Sequence, residues 1–393
     1  MKTMKTLNGN QTIAEAARQI DPDIIAAYPI TPSTAIVETI AQFKADGLIS
    51  GEFVCPESEH SAMSVCIGAA SAGGRVMTAT SSQGLALMWE MLYIAAGLRL
   101  PIIAAIANRS LSAPINIHGD HSDTMGARDS GWIQLYSEGC QEAYDNFIQA
   151  FRIAEDLDVR TPVLVGLDGF IISHSMEAIQ VEDDEEVKKF IGEYKPLYPL
   201  LDTSRKMTVG PIDFTDYYFE HKRSQIEGIE NAPRVIEAVG KEFGQRFGRE
   251  YGFFEEYRLD DAETCIVVMS SAAGTCKDSI DELRAEGKRI GLLKPRVFRP
   301  FPHQKIAEAL KEMKAVAVLD RSSSPGAFGA PLFTEIRSAL YDYGQRPKIV
   351  NYVYGLGGRD IMVEHFKEVA LKLEKIAQTG KVDQMCGYIN LRE

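Results

Sequence analysis

A chain of 393 residues with 45% hydrophobic and 25% charged residues has globular proportions and exceeds one ordinary core, so two domains are expected. Its 42 basic against 55 acidic residues give a net charge of -13, which disfavours nucleic acid and anionic membranes as partners, and no apolar run reaches the roughly 18 residues of a transmembrane helix. The opening MKTMKTLNGN lacks the apolar stretch of a secretory signal, which points to a soluble, cytoplasmic protein.

From Gln11 to Asp168, short apolar runs alternate with helical patterns, the mark of a parallel sheet with helices on both faces. Strands are predicted at Asp23–Ala27, Glu52–Cys55, Arg75–Thr80, Pro101–Ala107, Ile133–Ser137 and Val163–Leu167. Helices are predicted at Thr34–Lys44, at Leu85–Gly97 and over Gln141–Asp156, where Ala143, Phe147, Ala150 and Ala154 form one stripe. Between them, Ala62–Ala72 consists mostly of small and apolar residues and is expected as a helix buried all round, stopped by Gly73 and Gly74.

Two acids open that helix. Ser58 is a natural N-cap, and Glu57 and Glu59 suit the positive end of the helix dipole, so ordinary helix-start chemistry accounts for both. The alternative is that one of them faces a cleft, where desolvation lets it hold or share a proton. Ligands of such sheets bind beyond the carboxyl ends of the strands, and the unusual residues stand there. They are Tyr28-Pro29-Ile30-Thr31-Pro32-Ser33-Thr34, Pro56 to His60, Ser81-Ser82-Gln83-Gly84 and Asn108-Arg109-Ser110. The polar loop Ile115–Asp129 carries His118, His121 and three aspartates and is too long to be idle; a lone H-x-x-H in a loop points to hydrogen bonding rather than to a metal.

Residues 173 to 258 turn acidic, aromatic and polar and are expected as a linker, with VEDDEEVKKF a solvated helix face and Ile226–Gly248 helical again. A second alternation follows: strands at Thr264–Ser270, Ile290–Leu293, Ala315–Leu319 and Ile349–Val353, helices at Lys277–Glu286, His303–Met313 and Pro331–Tyr341. Its first turn, SSAAGTCKD, lacks G-x-G-x-x-G, so nicotinamide binding is disfavoured. The tail beyond Gly380 has no core of its own and could clasp a partner chain. Six scattered cysteines form no C-x-x-C pair; Cys66 and Cys265 read as core residues, with no disulfide framework and no cluster.

At YPITPSTAIVETI, ESEHSAMSVCIGAASAGGR, TSSQGLALMWE, ANRSLSAPINIHGDHSD and RDSGWIQLYSE the chain resembles the alpha subunits of pyruvate:ferredoxin oxidoreductase and its 2-oxoacid relatives. LLKPRVFRPFP, AVLDRSSSPGAFGAPL and YGLGGRD extend the resemblance over nearly the whole chain. The fold it implies is α/β: a parallel-sheet domain of the pyrimidine-binding type of thiamine-diphosphate enzymes over residues 1–235 with a linker, a smaller transketolase C-terminal-type domain over 236–380, and the tail 381–393. The resemblance places Glu59 against N1′ of the aminopyrimidine, with Pro29, Ile30 and Gln83 around the cofactor. It places Thr31 and Arg109 on the substrate carboxylate, where the guanidinium fork suits a planar oxyanion.

No G-D-G with a later N-N is present to hold the diphosphate through magnesium. The resemblance therefore implies a thiamine diphosphate shared with a partner subunit, and Mg2+ and iron–sulfur clusters on beta, gamma and delta-type chains. Coenzyme A is the implied co-substrate and ferredoxin the electron acceptor. Pyruvate is the expected substrate, since Arg109 is the single cation matched to a carboxylate; 2-oxoisovalerate, oxalate and 2-oxoglutarate are alternatives, and Arg128 is the one further cation in the long loop. Rival readings are a non-catalytic scaffold subunit and a transketolase-like enzyme of sugar phosphates, which would need its own diphosphate motif.

Overall fold

Continuous apolar runs become strands buried on both faces, as parallel sheets covered by helices require. A computed structural model describes residues 2–392. The chain opens with β1 (Thr3–Asn8) and α1 (Gly9–Ile20), whose first turn is closed by a capping box between Asn8 and Gln11. There follow β2 (Ile24–Ala26), α2 (Thr34–Ala45), β3 (Glu52–Val54), α3 (Glu59–Ala72), β4 (Val76–Thr80), α4 (Ser82–Leu87) and α5 (Trp89–Gly97). Then come β5 (Ile102–Asn108), α6 (Ser122–Gly126), β6 (Ile133–Tyr136), α7 (Cys140–Glu155), β7 (Val163–Asp168), β8 (Met176–Val181), α8 (Asp184–Ile191) and α9 (Tyr218–Phe247).

The second half holds β9 (Phe254–Tyr257), β10 (Thr264–Val268), α10 (Ala272–Ala285), β11 (Ile290–Pro295), β12 (Val297–Arg299) and α11 (His303–Leu310). It ends with β13 (Ala315–Asp320), α12 (Pro331–Leu340), β14 (Lys348–Val353), α13 (Val363–Thr379) and β15 (Cys386–Tyr388). The first sheet runs β12-β6-β7-β5-β4-β2-β3 and is parallel apart from edge strand β12. The second runs β15-β14-β13-β10-β11-β9 and is parallel apart from edge strand β9. Their topology creates two switch points. In the first sheet, β2 leads to β3 on one side while β4 leads to β5 on the other, opening a crevice between the loops after β2 and β4. In the second, β10 and β13 diverge in the same way.

Every predicted strand is present, and several expectations need correction. Residues 173–258 are not simply a linker: β8 pairs antiparallel with β1, α8 and α9 pack on α7, and β9 edges the second sheet. The helix expected over Leu85–Gly97 is two, α4 and α5, meeting at Met88. Helix α3 is not buried all round, since Gly68 is exposed and Ser61, Ser64, Val65 and Ala69 are half-covered. Position 235 lies inside α9, whose Ile236, Val239 and Phe243 join the core of the first sheet. The tail adds β15 to β14 of its own sheet and buries Ile389; Met1 and Glu393 lie outside the described residues. Cys66 and Cys265 are core residues. Among the described residues no helix is long and apolar enough to cross a membrane.

The carboxyl edges of the two sheets meet at Asp168, the last residue of β7, which is fully buried. Its Oδ2 accepts from Arg321 Nη1 at 2.9 Å and from the Ser271 N–H at 3.1 Å, and its Oδ1 lies 2.7 Å from His121 Nε2. Burial alone would push this carboxyl up, but Arg321 and His121 overcome it and hold it well below the usual range. A carboxyl depressed on folding stabilises the fold above its unfolded value, so this contribution is full at neutral pH and fades as pH falls below about 4. Replacing Arg321 by Met strands the buried carboxylate and is expected to cost about 3–5 kcal/mol in urea unfolding at pH 7. A urea midpoint unchanged by Arg321→Met would show that the two sheets do not depend on this pair.

Candidate cofactor and substrate site

At the start of α3 the two acids part. The Ser58 side chain accepts from the Ser61 N–H as N-cap, and Glu57 stays exposed, accepting from the Ser61 hydroxyl at 2.5 Å, which holds its carboxyl below the ordinary value. Glu59 turns inward and is 6% exposed. Among the described residues no donor reaches its carboxylate. The side chain is largely covered, yet its carboxylate oxygens still reach solvent and are free to accept from an incoming group.

The Glu59 carboxylate lies against Gly84 in α4. A Cβ at Gly84 would sit 2.7 Å from Glu59 Oε1 and 2.3 Å from Thr80 Oγ1, so only glycine fits under the acid. The hydroxyls of Thr80 and Ser81 are also buried, with no hydrogen-bond partner among the described residues. A carboxylate and two unsatisfied hydroxyls thus gather at the switch point, the carboxylate free to accept from an incoming donor. Gln83 is half-buried at the same turn, its Oε1 accepting from the Ser82 hydroxyl at 2.6 Å.

Across the edge, Arg109 follows β5 and is 6% exposed. Its Nε donates to the Asn116 carbonyl and its Nη1 to the Thr31 carbonyl, both at 2.9 Å. Thr31 and Arg109 are therefore in contact, through the Thr31 backbone and not its hydroxyl. Nη2 has no protein acceptor among the described residues. Burial pulls the Arg109 guanidinium down from its ordinary value and Asp123 pushes it back; an arginine stays charged at neutral pH throughout. Pro29 is exposed at the rim of the same loop, and the Ile30 carbonyl accepts from the Ser33 hydroxyl at 2.8 Å.

Asp123, to which the sequence gives no role of its own, joins the two sides. Its Oδ2 accepts from the Ser82 N–H at 3.0 Å and the Arg109 N–H at 2.9 Å. Burial pushes its carboxyl up to about 6 despite these bonds. The only signal in the sequence is the density of acids in the long loop. The loop's histidines do not act together: His118 lies 3.2 Å from Asn116 Oδ1, while His121 serves Asp168. Arg128 is turned back to the Met125 carbonyl at 2.7 Å and lies beside Asp129. A cavity of about 540 Å³ lined by Ile94, Arg99, Tyr218 and His221 lies apart from these residues.

Two family models match the chain. One, described as pyruvate flavodoxin/ferredoxin oxidoreductase, thiamine diphosphate-binding, covers residues 15–241; the other, pyruvate:ferredoxin oxidoreductase core domain II, covers residues 262–366. The chain is 54% identical over 387 residues to the pyruvate synthase subunit PorA of Thermotoga maritima, covering 98% of each. It is 42% identical over 389 residues to the ketoisovalerate oxidoreductase subunit VorA of Pyrococcus abyssi, covering 99% of this chain and 98% of that one. Its fold matches a 2-oxoglutarate:ferredoxin oxidoreductase from Magnetococcus marinus with a TM-score of 0.73 at 19% identity, over 95% of this chain and 65% of that one.

The close fit of Gly84 separates site packing from helix propensity. Gly84→Ala forces a methyl onto Glu59 and Thr80 and is expected to destabilise by about 1–3 kcal/mol. Gly68→Ala on the exposed flank of α3, where a Cβ meets nothing within 4 Å, should stabilise by about 0.5–1 kcal/mol. Denaturant midpoints of the two variants measure this, and equal shifts would mean that Glu59 does not lie against Gly84.

Proposed function

The chain belongs to the pyruvate:ferredoxin oxidoreductase family, and from that membership we propose that it is the alpha subunit of a cytoplasmic enzyme that oxidatively decarboxylates pyruvate to acetyl-CoA and carbon dioxide, or runs the reverse. The observation that carries the site assignment is Glu59, buried and without a donor of its own, over the cradle that Gly84 leaves. Thiamine diphosphate, when bound, supplies the carbon nucleophile and electron sink that decarboxylation of a 2-oxoacid needs. Glu59 shares a proton with N1′ of its pyrimidine, the role of a carboxyl kept free of other partners. Gln83, Pro29 and Ile30 bound the ring from the two loops at the switch point. Arg109, its fork fixed by the carbonyls of Thr31 and Asn116, receives the substrate carboxylate through the N–H groups it has left. Thr31 acts by holding that fork, and its hydroxyl stands at the same rim.

The rest of the site belongs to other chains. The diphosphate and Mg2+ ligands, the iron–sulfur clusters and the docking of coenzyme A and ferredoxin fall to beta, gamma and delta-type subunits. Two features support this: the sequence has no G-D-G motif, and α3, mostly small and apolar, has one flank of Ser61, Ser64, Val65, Gly68 and Ala69 that this chain leaves open. A small monocarboxylic substrate is favoured because Arg128 is spent on its own loop and Arg321 on Asp168, while Arg359, on the loop that meets Asn116, is turned to the Asn390 carbonyl. A dicarboxylate would bury an unpaired charge. The pyruvate reading over 2-oxoisovalerate rests on the greater identity to the pyruvate synthase subunits.

Reconstitution with partner subunits tests the assignment. Glu59→Gln should slow proton exchange at the thiazolium C2 by about 10²–10⁴-fold with the fold intact. Arg109→Ala should raise the KM for pyruvate by about 10- to 100-fold, the loss of charge-assisted bonds. Wild-type C2 exchange in Glu59→Gln, or turnover by this chain alone with added cofactor, would overturn the site or the division of labour respectively.

A further inference from the structure

Helix α4 begins without a local cap. Ser81 precedes it in extended conformation and its side chain bonds no helix N–H, while Ser82 stands at φ +48, a left-handed conformation that serine rarely adopts. The conformation aims the Ser82 N–H at Asp123, which lies outside that helix, 41 residues on in the sequence. The same oxygen takes the Arg109 N–H, and the other oxygen takes Asn108 Nδ2 at 2.9 Å and the Thr124 N–H at 2.7 Å. Four donors converge on one carboxylate that is 3% exposed. We propose that Asp123 is a positioning residue that sets the cofactor-side turn Ser82-Gln83-Gly84 and the substrate-side Arg109 in one register, so that the nitrogenous ring against Glu59 and the carboxylate on Arg109 are held at a fixed separation. This rests on the roles assigned above to Glu59 and Arg109.

The chemistry of the four donors makes the carboxylate specific. An aspartate offers two acceptor oxygens; an asparagine of the same shape offers one, and its amide N–H2 must face a pair of donors whichever way it turns. Asp123→Asn therefore repels either the Ser82 and Arg109 N–H groups or those of Asn108 and Thr124. The first pair is the joint between the two sides of the site. Asn108 and Thr124 extend the joint into the sheet, because Thr124 Oγ1 accepts both from Asn108 Nδ2 at 2.9 Å and from the Tyr136 hydroxyl at 2.7 Å. Pulling either pair apart shifts Arg109 relative to the turn under Glu59.

The test uses the reconstituted complex and three readouts: hydrogen exchange of the segments holding Ser82 and Arg109, proton exchange at C2 without substrate, and KM for pyruvate. Asp123→Asn is expected to deprotect both amide segments together, to slow C2 exchange about tenfold and to raise KM about tenfold, each a loss on the scale of one charge-assisted bond. In an Arg109→Ala background Asp123→Asn should no longer move KM while it still slows C2 exchange, a pattern that general destabilisation does not produce. Asp123→Glu, which keeps both acceptors, is the second variant if the amide does not assemble, and it should retain amide protection with smaller kinetic losses. Effects confined to thermal stability, or a KM change in the double variant that simply adds, overturn the proposal while Glu59 and Arg109 keep their roles. A KM unmoved by Arg109→Ala alone would overturn the site assignment and this inference with it.

Discussion

The Asp168 carboxylate has no contact with water, and the way it is neutralised decides how the two halves meet. Its partners come from the loops after β5, β10 and β13, so the carboxyl edges of both sheets converge on one buried charge. In the second sheet this fills the switch point between β10 and β13, where an α/β sheet ordinarily takes a ligand. Arg321 and Ser271 occupy that crevice with protein instead of cofactor. In the first sheet the equivalent edge, between β2 and β4, presents Glu59 and Gln83 and is not filled by the other domain's charged side chains. One domain thus gives up its binding edge to hold the other's in place.

At this edge, packing and not sequence position assigns the roles of the acids. Glu57 and Glu59 both suit a helix start, and the dipole favours both equally. Glu57 faces water and completes a local hydrogen bond; Glu59 faces α4, where the missing side chain of Gly84 admits it. Because the cradle comes from a different strand and loop, nothing near Glu59 in the sequence separates it from its neighbour.

The parallel strands, the helices between them and the edge on which the loops open were legible because each rests on local apolar patterning. The antiparallel additions were not. β1 with β8, β12 with β6 and β9 with β11 join segments far apart in the chain; β1, β8 and β9 are half-exposed and polar and β12 has only three residues, so these four carry little periodic signal. The run through residues 173–258 looked like a linker for the same reason, since α9 is held by packing on α7 and not by its mixed composition. At the site, the motifs single out Glu59, Arg109 and Thr31 as candidates, whereas the contact of Arg109 with the Thr31 carbonyl was not legible, because a backbone contact leaves no mark on side-chain identity. Asp123 was invisible as a joint, since its partners Ser82, Asn108 and Arg109 are brought to it only by the order of β4 and β5 in the sheet.

The count of free cations follows from this same frugality with buried charge. Each arginine near the carboxyl edge must either be paired or face the ligand, because a desolvated guanidinium without an acceptor is costly. Arg321 is paired with Asp168, Arg299 with Glu335, and Arg128 with its own loop. Arg109 is anchored by neutral carbonyls, which orient it without forming an ion pair. An arginine held by a carboxylate would already be neutralised and would attract an anion weakly; one held by carbonyls keeps its full field for the incoming group. A guanidinium oriented in this way is suited to a planar carboxylate.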